Sequence, residues 1–208
     1  TVLSSAAPRY VPIYSKGFRF DPDELRSSFT PKTRAVIINT PNNPLGKVFT
    51  LEELELIASL CQQHDAIAIT DEIYEHILFD GREHVSIASL PGMQDRTITI
   101  CGHSKTYSVT GWRLGYAVAC EEITSGIRKV HDFLTVGAPA PLQEAAAAAM
   151  SLPDEYYVEL RRLYERKRDY LMKALTNAGF RCIRPQGAYY IMTDISSFGF
   201  SNDSEFAR

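Results

Sequence analysis

Two textures of hydrophobic and polar positions alternate along the first part of the chain. Short β-branched runs, nearly continuous in apolar residues, stand at Ala35-Val36-Ile37-Ile38-Asn39, Ala66-Ile67-Ala68-Ile69-Thr70, Thr97-Ile98-Thr99-Ile100-Cys101 and Gly115-Tyr116-Ala117-Val118-Ala119. Runs of this kind predict strands of a sheet covered on both faces. Between the first two, Leu54, Ile57, Ala58 and Cys61 recur at the spacing of one helical face. Thr50 followed by Glu53 predicts a capping box at the start of that helix, each side chain satisfying the other's backbone N–H. Asp21-Pro22-Asp23-Glu24 opens a shorter helix in the same manner, with proline in the first turn. An alanine run from Ala145 to Ala149 suits a tightly packed helix. Strand–helix–strand alternation predicts an α/β layered domain with a largely parallel sheet.

After Pro153 the pattern changes. Leu160, Leu163, Tyr164, Leu171, Ala174 and Leu175 line one side of a long charged helix, and Gly179 stops it. Two strand-like runs follow, around Arg181 to Arg184 and Ala188 to Thr193. The expected division is therefore residues 1–153 as a large domain and residues 154–208 as a connecting helix with the beginning of a small α+β domain. The chain opens on Thr1 and closes on Asp203-Ser204-Glu205-Phe206-Ala207-Arg208, which reads as the first turn of a helix capped by Asp or Ser. Both ends are expected to be truncations.

Composition narrows the function class. With 208 residues, 45% of them hydrophobic and 23% charged, the chain can bury a core. A formal net charge of −3 offers no basic stripe for nucleic acid, and no apolar stretch is long enough for a membrane span. The four cysteines, Cys61, Cys101, Cys120 and Cys182, are far apart with no Cys-x-x-Cys pairing. They read as reduced, small hydrophobes of a cytoplasmic protein rather than metal ligands.

Candidate chemistry stands where strands end, the place ligands bind in open α/β sheets. Thr40-Pro41-Asn42-Asn43-Pro44-Leu45-Gly46 follows the first strand and is also what a plain turn looks like. Asp71-Glu72-Ile73-Tyr74-Glu75 follows the second, where the carboxylate can be a ligand or a local cap. His103-Ser104-Lys105-Thr106-Tyr107 follows the third, placing a lysine among small and hydroxyl residues where its amine could be desolvated and nucleophilic. Thr110-Gly111-Trp112-Arg113-Leu114-Gly115-Tyr116 brings an arginine eight residues past that lysine, its planar fork suited to a phosphate.

Together these segments, from about Pro8 to Tyr190, resemble the class I/II aminotransferases of the fold-type-I pyridoxal-phosphate enzymes, in the branch that includes kynurenine and methionine aminotransferases. The Ser-Lys-Thr-Tyr…Thr-Gly-Trp-Arg-x-Gly-Tyr combination is the most specific part. The resemblance implies a three-layer α/β/α large domain with a mostly parallel mixed sheet, the start of a smaller α+β domain, and a homodimer in the full-length parent. It implies transfer of an amino group between an L-amino acid and a 2-oxo acid, with pyridoxal 5′-phosphate carried by Lys105 as a Schiff base. On the same basis Asp71 faces the pyridine nitrogen, and Asn43 and Tyr74 bond the ring's phenolic oxygen. Asn43 also touches the substrate carboxylate, Ile73 packs under the ring, and Arg113 with Ser104 binds the phosphate. Gly102 departs from the pattern, since many relatives have a serine three residues before the lysine; one phosphate hydrogen bond, about 1–2 kcal/mol, is lost with it. His103 has no family role. Relatives carry a glycine-containing phosphate loop and a ring-stacking aromatic upstream of these segments, and a substrate-carboxylate arginine downstream, so these residues alone are expected to be inactive. Two alternatives remain: another fold-type-I enzyme such as a carbon–sulfur lyase or a related synthase, and a non-catalytic regulatory module.

Overall fold

The computed structural model describes residues 4–13 and 16–208, so the opening read as a truncation at residues 1–3 lies outside the described residues. Helix α1 (Pro22–Ser28) is capped by Asp21, whose carboxylate accepts the N–H groups of Asp23 and Glu24. Strand β1 (Ala35–Asn39) leads through helix α2 (Leu51–Gln63) to strand β2 (Ile67–Asp71). The predicted capping box of α2 is present in both halves: Glu53 N–H donates to Thr50 and Thr50 N–H to the Glu53 carboxylate. Strands β3 (Thr97–Gly102) and β4 (Gly115–Val118) complete a sheet in the order β1-β2-β3-β4, the first three parallel and β4 antiparallel.

One face of this sheet carries the core. Leu54, Ile57, Ala58 and Cys61 of α2 pack with Ile38 and Ala68 of the strands and with Phe20, Leu25 and Phe29 in one buried cluster. Each leucine, isoleucine and phenylalanine among them contributes about 1.5–3 kcal/mol by leaving water. The opposite face departs from the expectation of a sheet covered on both sides. Register sets Ile37, Ile69 and Ile98 abreast there, and Ile37 remains 71% exposed and Ile100 42%. The continuous apolar runs record a burial that the described residues themselves do not provide.

Helix α3 (His103–Thr106) is a single turn after β3, followed by α4 (Glu121–Leu134) and α5 (Ala140–Met150). The alanine run does form α5, but only Ala146 is buried, so the tight packing expected of it is absent among the described residues. In α4 no residue is buried, and Val130 and Phe133 face outward.

Helix α6 (Asp154–Asn177) is the long charged helix. Its inward stripe is Leu160, Tyr164, Arg168 and Leu175; Leu163 and Leu171 remain 38% and 45% exposed, less covered than the apolar pattern predicts. Gly179, at φ +92°, ends it: Phe180 N–H reaches Leu175 C=O and Gly179 N–H reaches Thr176 C=O, a closing motif that needs a left-handed residue. Arg168 takes a hydrophobic position because Asp80 meets it with two bonds, at 2.8 and 2.9 Å, while Arg184 shares the same carboxylate.

The two strand-like runs that follow shrink to β5 (Arg181–Cys182) and β6 (Thr193–Asp194), an antiparallel pair. Residues 188–192 are not strand as expected, because the backbone is claimed from elsewhere. Gly46 C=O accepts from both Gln186 and Gly187 N–H, Phe79 N–H donates to Gln186 C=O, and Ala188 N–H donates to Ile77 C=O. A Cβ on Gly46 would lie 2.5 Å from Pro185 Cβ, so only glycine permits this crossing. The last turn, α7 (Asp203–Phe206), is capped by Asn202 and not by Asp203 or Ser204.

Candidate active site

Parallel pairing carries the chemistry to one edge. Asn39 pairs with Asp71 and Asp71 with Ile100, so β1, β2 and β3 release their chains at the same level. The loops of Asn43, Tyr74 and Lys105 therefore emerge side by side. Because β4 runs the other way, its Gly115 sits opposite Gly102 and returns the Arg113 loop to that edge. Four segments scattered over some seventy positions of sequence are neighbours here.

Asn43 is exposed, and its backbone N–H donates to the Asn39 side chain at 2.6 Å. Asn39 in turn donates to Asp71 C=O at 3.1 Å, tying the first loop to the second strand. Asn42 organises the turn, its side-chain oxygen accepting Leu45 N–H. The Asp71 carboxylate accepts Ile73 N–H at 3.2 Å, so it serves as a local cap at the start of the loop. Directly beneath, Glu72 is buried, with Ser86 O–H and a His84 ring nitrogen at 2.9 and 2.7 Å; this pins the base of the loop. Gly102 faces Ile73. A Cβ there would come within 3.3 Å of Ile73 Cδ1, so the missing serine is matched to a bulky neighbour.

Lys105 lies in α3 and lines a cavity of about 420 Å³ with Ser104, Tyr164, Lys167, Tyr189 and Tyr190 among its walls. Its Nζ stands 5.5 Å from the Tyr189 ring centre. Burial raises the Tyr189 phenol, but hydrogen bonds with Lys105 and Tyr74 outweigh it and hold the group below the ordinary tyrosine range. Tyr74 is 2% exposed, 2.9 Å from the Tyr190 hydroxyl, and edge-on to Tyr189. Burial first, and its phenol neighbours second, push it well above the usual range, so it is a neutral hydrogen-bonding group. Asn43, Asp71, Ile73, Tyr74 and Arg113 border the same edge without lining the cavity. Arg113, at φ +54°, is exposed and donates to Thr110 C=O within its own loop.

The tyrosines are what residue patterns missed. Tyr164 stacks on Tyr189, and Tyr156 and Tyr157, at the start of α6, reach α3 itself. The available signal was the spacing of Tyr157, Leu160 and Tyr164 on one helix face. His103 is buried between Tyr107 and Tyr116 with no hydrogen-bond partner for either ring nitrogen among the described residues, and desolvation lowers its pKa.

The arrangement can be set against known proteins. Human kynurenine–oxoglutarate transaminase 1 is 45% identical over 191 residues, covering 88% of this chain and 45% of that protein. The N-succinyldiaminopimelate aminotransferase of Mycobacterium tuberculosis superposes with a TM-score of 0.89 at 38% identity, over 94% of this chain and 51% of its own. The aromatic aminotransferase of Pyrococcus horikoshii gives 0.84 at 42%, over 91% and 52%. The chain thus spans about half the length of the relatives it matches. The family model for aminotransferase class I and II matches residues 2–208. With that match running the length of the chain, and the same fold in those solved enzymes, this chain belongs to the class I and II aminotransferase family.

Proposed function

We propose that the protein containing this chain is a pyridoxal-phosphate-dependent aminotransferase that moves an amino group between an L-amino acid and a 2-oxo acid. The observation that carries the reading is the convergence of Asn43, Asp71, Lys105 and Arg113 on one sheet edge, with the lysine amine opening into a cavity. The donor set fits the cofactor: an amine for its aldehyde, a carboxylate for its ring nitrogen, an amide and a neutral phenol for its phenolic oxygen, and a guanidinium with a hydroxyl for its phosphate. These are Lys105, Asp71, Asn43 with Tyr74, and Arg113 with Ser104; Ile73 supplies an apolar surface for the ring. When bound, the cofactor supplies an aldehyde that condenses with amines and a ring that accepts electron density from the substrate's α-carbon.

The chain's own groups do the rest. Lys105 Nζ would hold the cofactor through its aldehyde and, as a free amine, would take the substrate's α-proton and return it one position away. The Asp71 carboxylate keeps the ring nitrogen protonated. Tyr74, neutral at physiological pH, donates its O–H. The relatives' names make kynurenine a donor and 2-oxoglutarate an acceptor worth first trial. The same reading places the domain division near Pro153, assumes a homodimer, and takes the four free cysteines as support for a cytoplasmic setting. No helix among the described residues is long and apolar enough to cross a membrane.

The test is borohydride reduction of the full-length protein followed by peptide mapping, with amino-transfer assays over a panel of donors. The pyridoxyl group is expected on Lys105. Recovery on Lys129, or on Lys47, whose ammonium is buried 2.7 Å from both Glu53 oxygens, would overturn the assignment. A lyase would release ammonia or a thiol without needing the 2-oxo acid.

A further inference from the structure

Helix α3 is one turn long, too short to hold its shape by its own hydrogen bonds. Its carbonyls show what fixes it. His103 C=O accepts Tyr107 N–H, Ser104 C=O accepts the Thr110 hydroxyl, and Lys105 C=O accepts Ser108 N–H at a long 3.4 Å. Those partners are all local. Thr106 C=O, next to the lysine, is bonded from fifty residues away by the Tyr156 hydroxyl at 2.7 Å. The adjacent Tyr157 hydroxyl lies 2.8 Å from that of Tyr107, the residue that ends α3. Tyr156 also stacks on Tyr107, ring centres 5.8 Å apart at 16°. Both tyrosines stand in the first turn of α6, whose Tyr164 stacks on the Tyr189 that faces Lys105. One rigid helix therefore grips the lysine's turn from the far side and the ring opposite the lysine's amine.

We propose that Tyr156, assisted by Tyr157, is a positioning residue for Lys105: its hydroxyl fixes the lysine's turn through Thr106 C=O and so sets where Nζ stands in the cavity. This rests on Lys105 being the reactive amine, as proposed above. Tyr156→Phe deletes one oxygen and keeps the stacked ring.

The test uses the full-length protein in two forms. In the cofactor-free form, competitive acetylation across pH compares Lys105 with exposed Lys129 as internal reference. In the loaded form, the pH titration of the visible absorbance band and the split between kcat and KM are measured. Tyr156→Phe is expected to change the Lys105 labelling rate, shift the band's titration, and lower kcat about tenfold with KM for the donor little changed. Tyr170→Phe, which deletes an exposed hydroxyl from the same helix, is expected to change none of these. If Tyr156→Phe is insoluble, Tyr157→Phe carries the same comparison. A variant that folds and matches wild type in labelling, titration and kcat overturns the positioning role. If the wild type itself shows no borohydride-bleached band on Lys105, the aminotransferase reading fails first, and that result is distinguishable because it needs no variant.

Discussion

Lys105, Asp71 and Arg113 stand on segments that reach one edge of the sheet, the proposed function gives each a different task toward the cofactor, and single substitutions separate them. Lys105→Ala should abolish the borohydride-stable adduct and turnover together. In the proposed function Asp71 acts on the ring's electronics, so Asp71→Ala in the full-length protein should retain cofactor while transamination falls by about two orders of magnitude or more. Arg113→Ala should do the reverse, weakening cofactor affinity by about ten- to a hundredfold, as loss of a charge-assisted phosphate contact implies. Absorbance titration and steady-state kinetics on the two variants distinguish these patterns; an inverted order would reassign the residues. At this scale the sequence was informative because Asp71 and Lys105 stand at or just past the end of a strand and Arg113 just before one, and a strand's end is visible in its pattern. Tyr189, Tyr156 and Arg168 were not legible, since their partners Lys105, Thr106 and Asp80 are many tens of residues distant and no periodicity encodes such pairs.

Elements were legible where local chemistry alone decides them. The α2 capping box stands as predicted, and Thr50→Ala should lower stability by about 1 kcal/mol, read as a drop in melting temperature. Strands β1 to β4 fall within a residue or so of the apolar runs. What failed were elements whose backbone is recruited by a distant partner: the run from Ala188 read as strand, but Gln186 and Gly187 N–H are held by Gly46 C=O and Ala188 N–H by Ile77 C=O. The grip of α6 on the rest has a pH signature. Arg184 first and Arg168 second depress the Asp80 carboxyl to about 2 from its ordinary 3.8. A carboxyl lowered in the folded state adds stability that is complete above the unfolded value and lost as pH falls through the folded one. Because the Asp80 side chain is 42% exposed, solvent screening reduces this to about 1 kcal/mol. Asp80→Asn should therefore destabilise at pH 7 by about that amount, with the difference from wild type vanishing toward pH 2. A difference independent of pH would show that packing, not charge, fastens the helix.

For the molecule as a whole, the covered face of the sheet and the open one behave as opposites. Ile37 and Ile100 on the open face, with Phe133 on α4, leave apolar surface in water. The 208-residue chain produced alone should self-associate, seen as light scattering that rises with concentration. Replacing Ile37 and Phe133 with lysine should reduce that scattering without loss of the helical signal from α2 and α6. The α/β class and the parallel order were readable from alternation, but the open face was not, because an apolar run states that a strand is buried without stating by what. The crossing at Gly46 carries its own lesson for anyone recombining members of this family. Its carbonyl binds two successive N–H groups of the segment that delivers Tyr189 and Tyr190, with no room for a side chain between them. The stretch around residues 40–48 and the stretch around 185–190 are thus a single heritable unit, and chimeras that exchange one should exchange both.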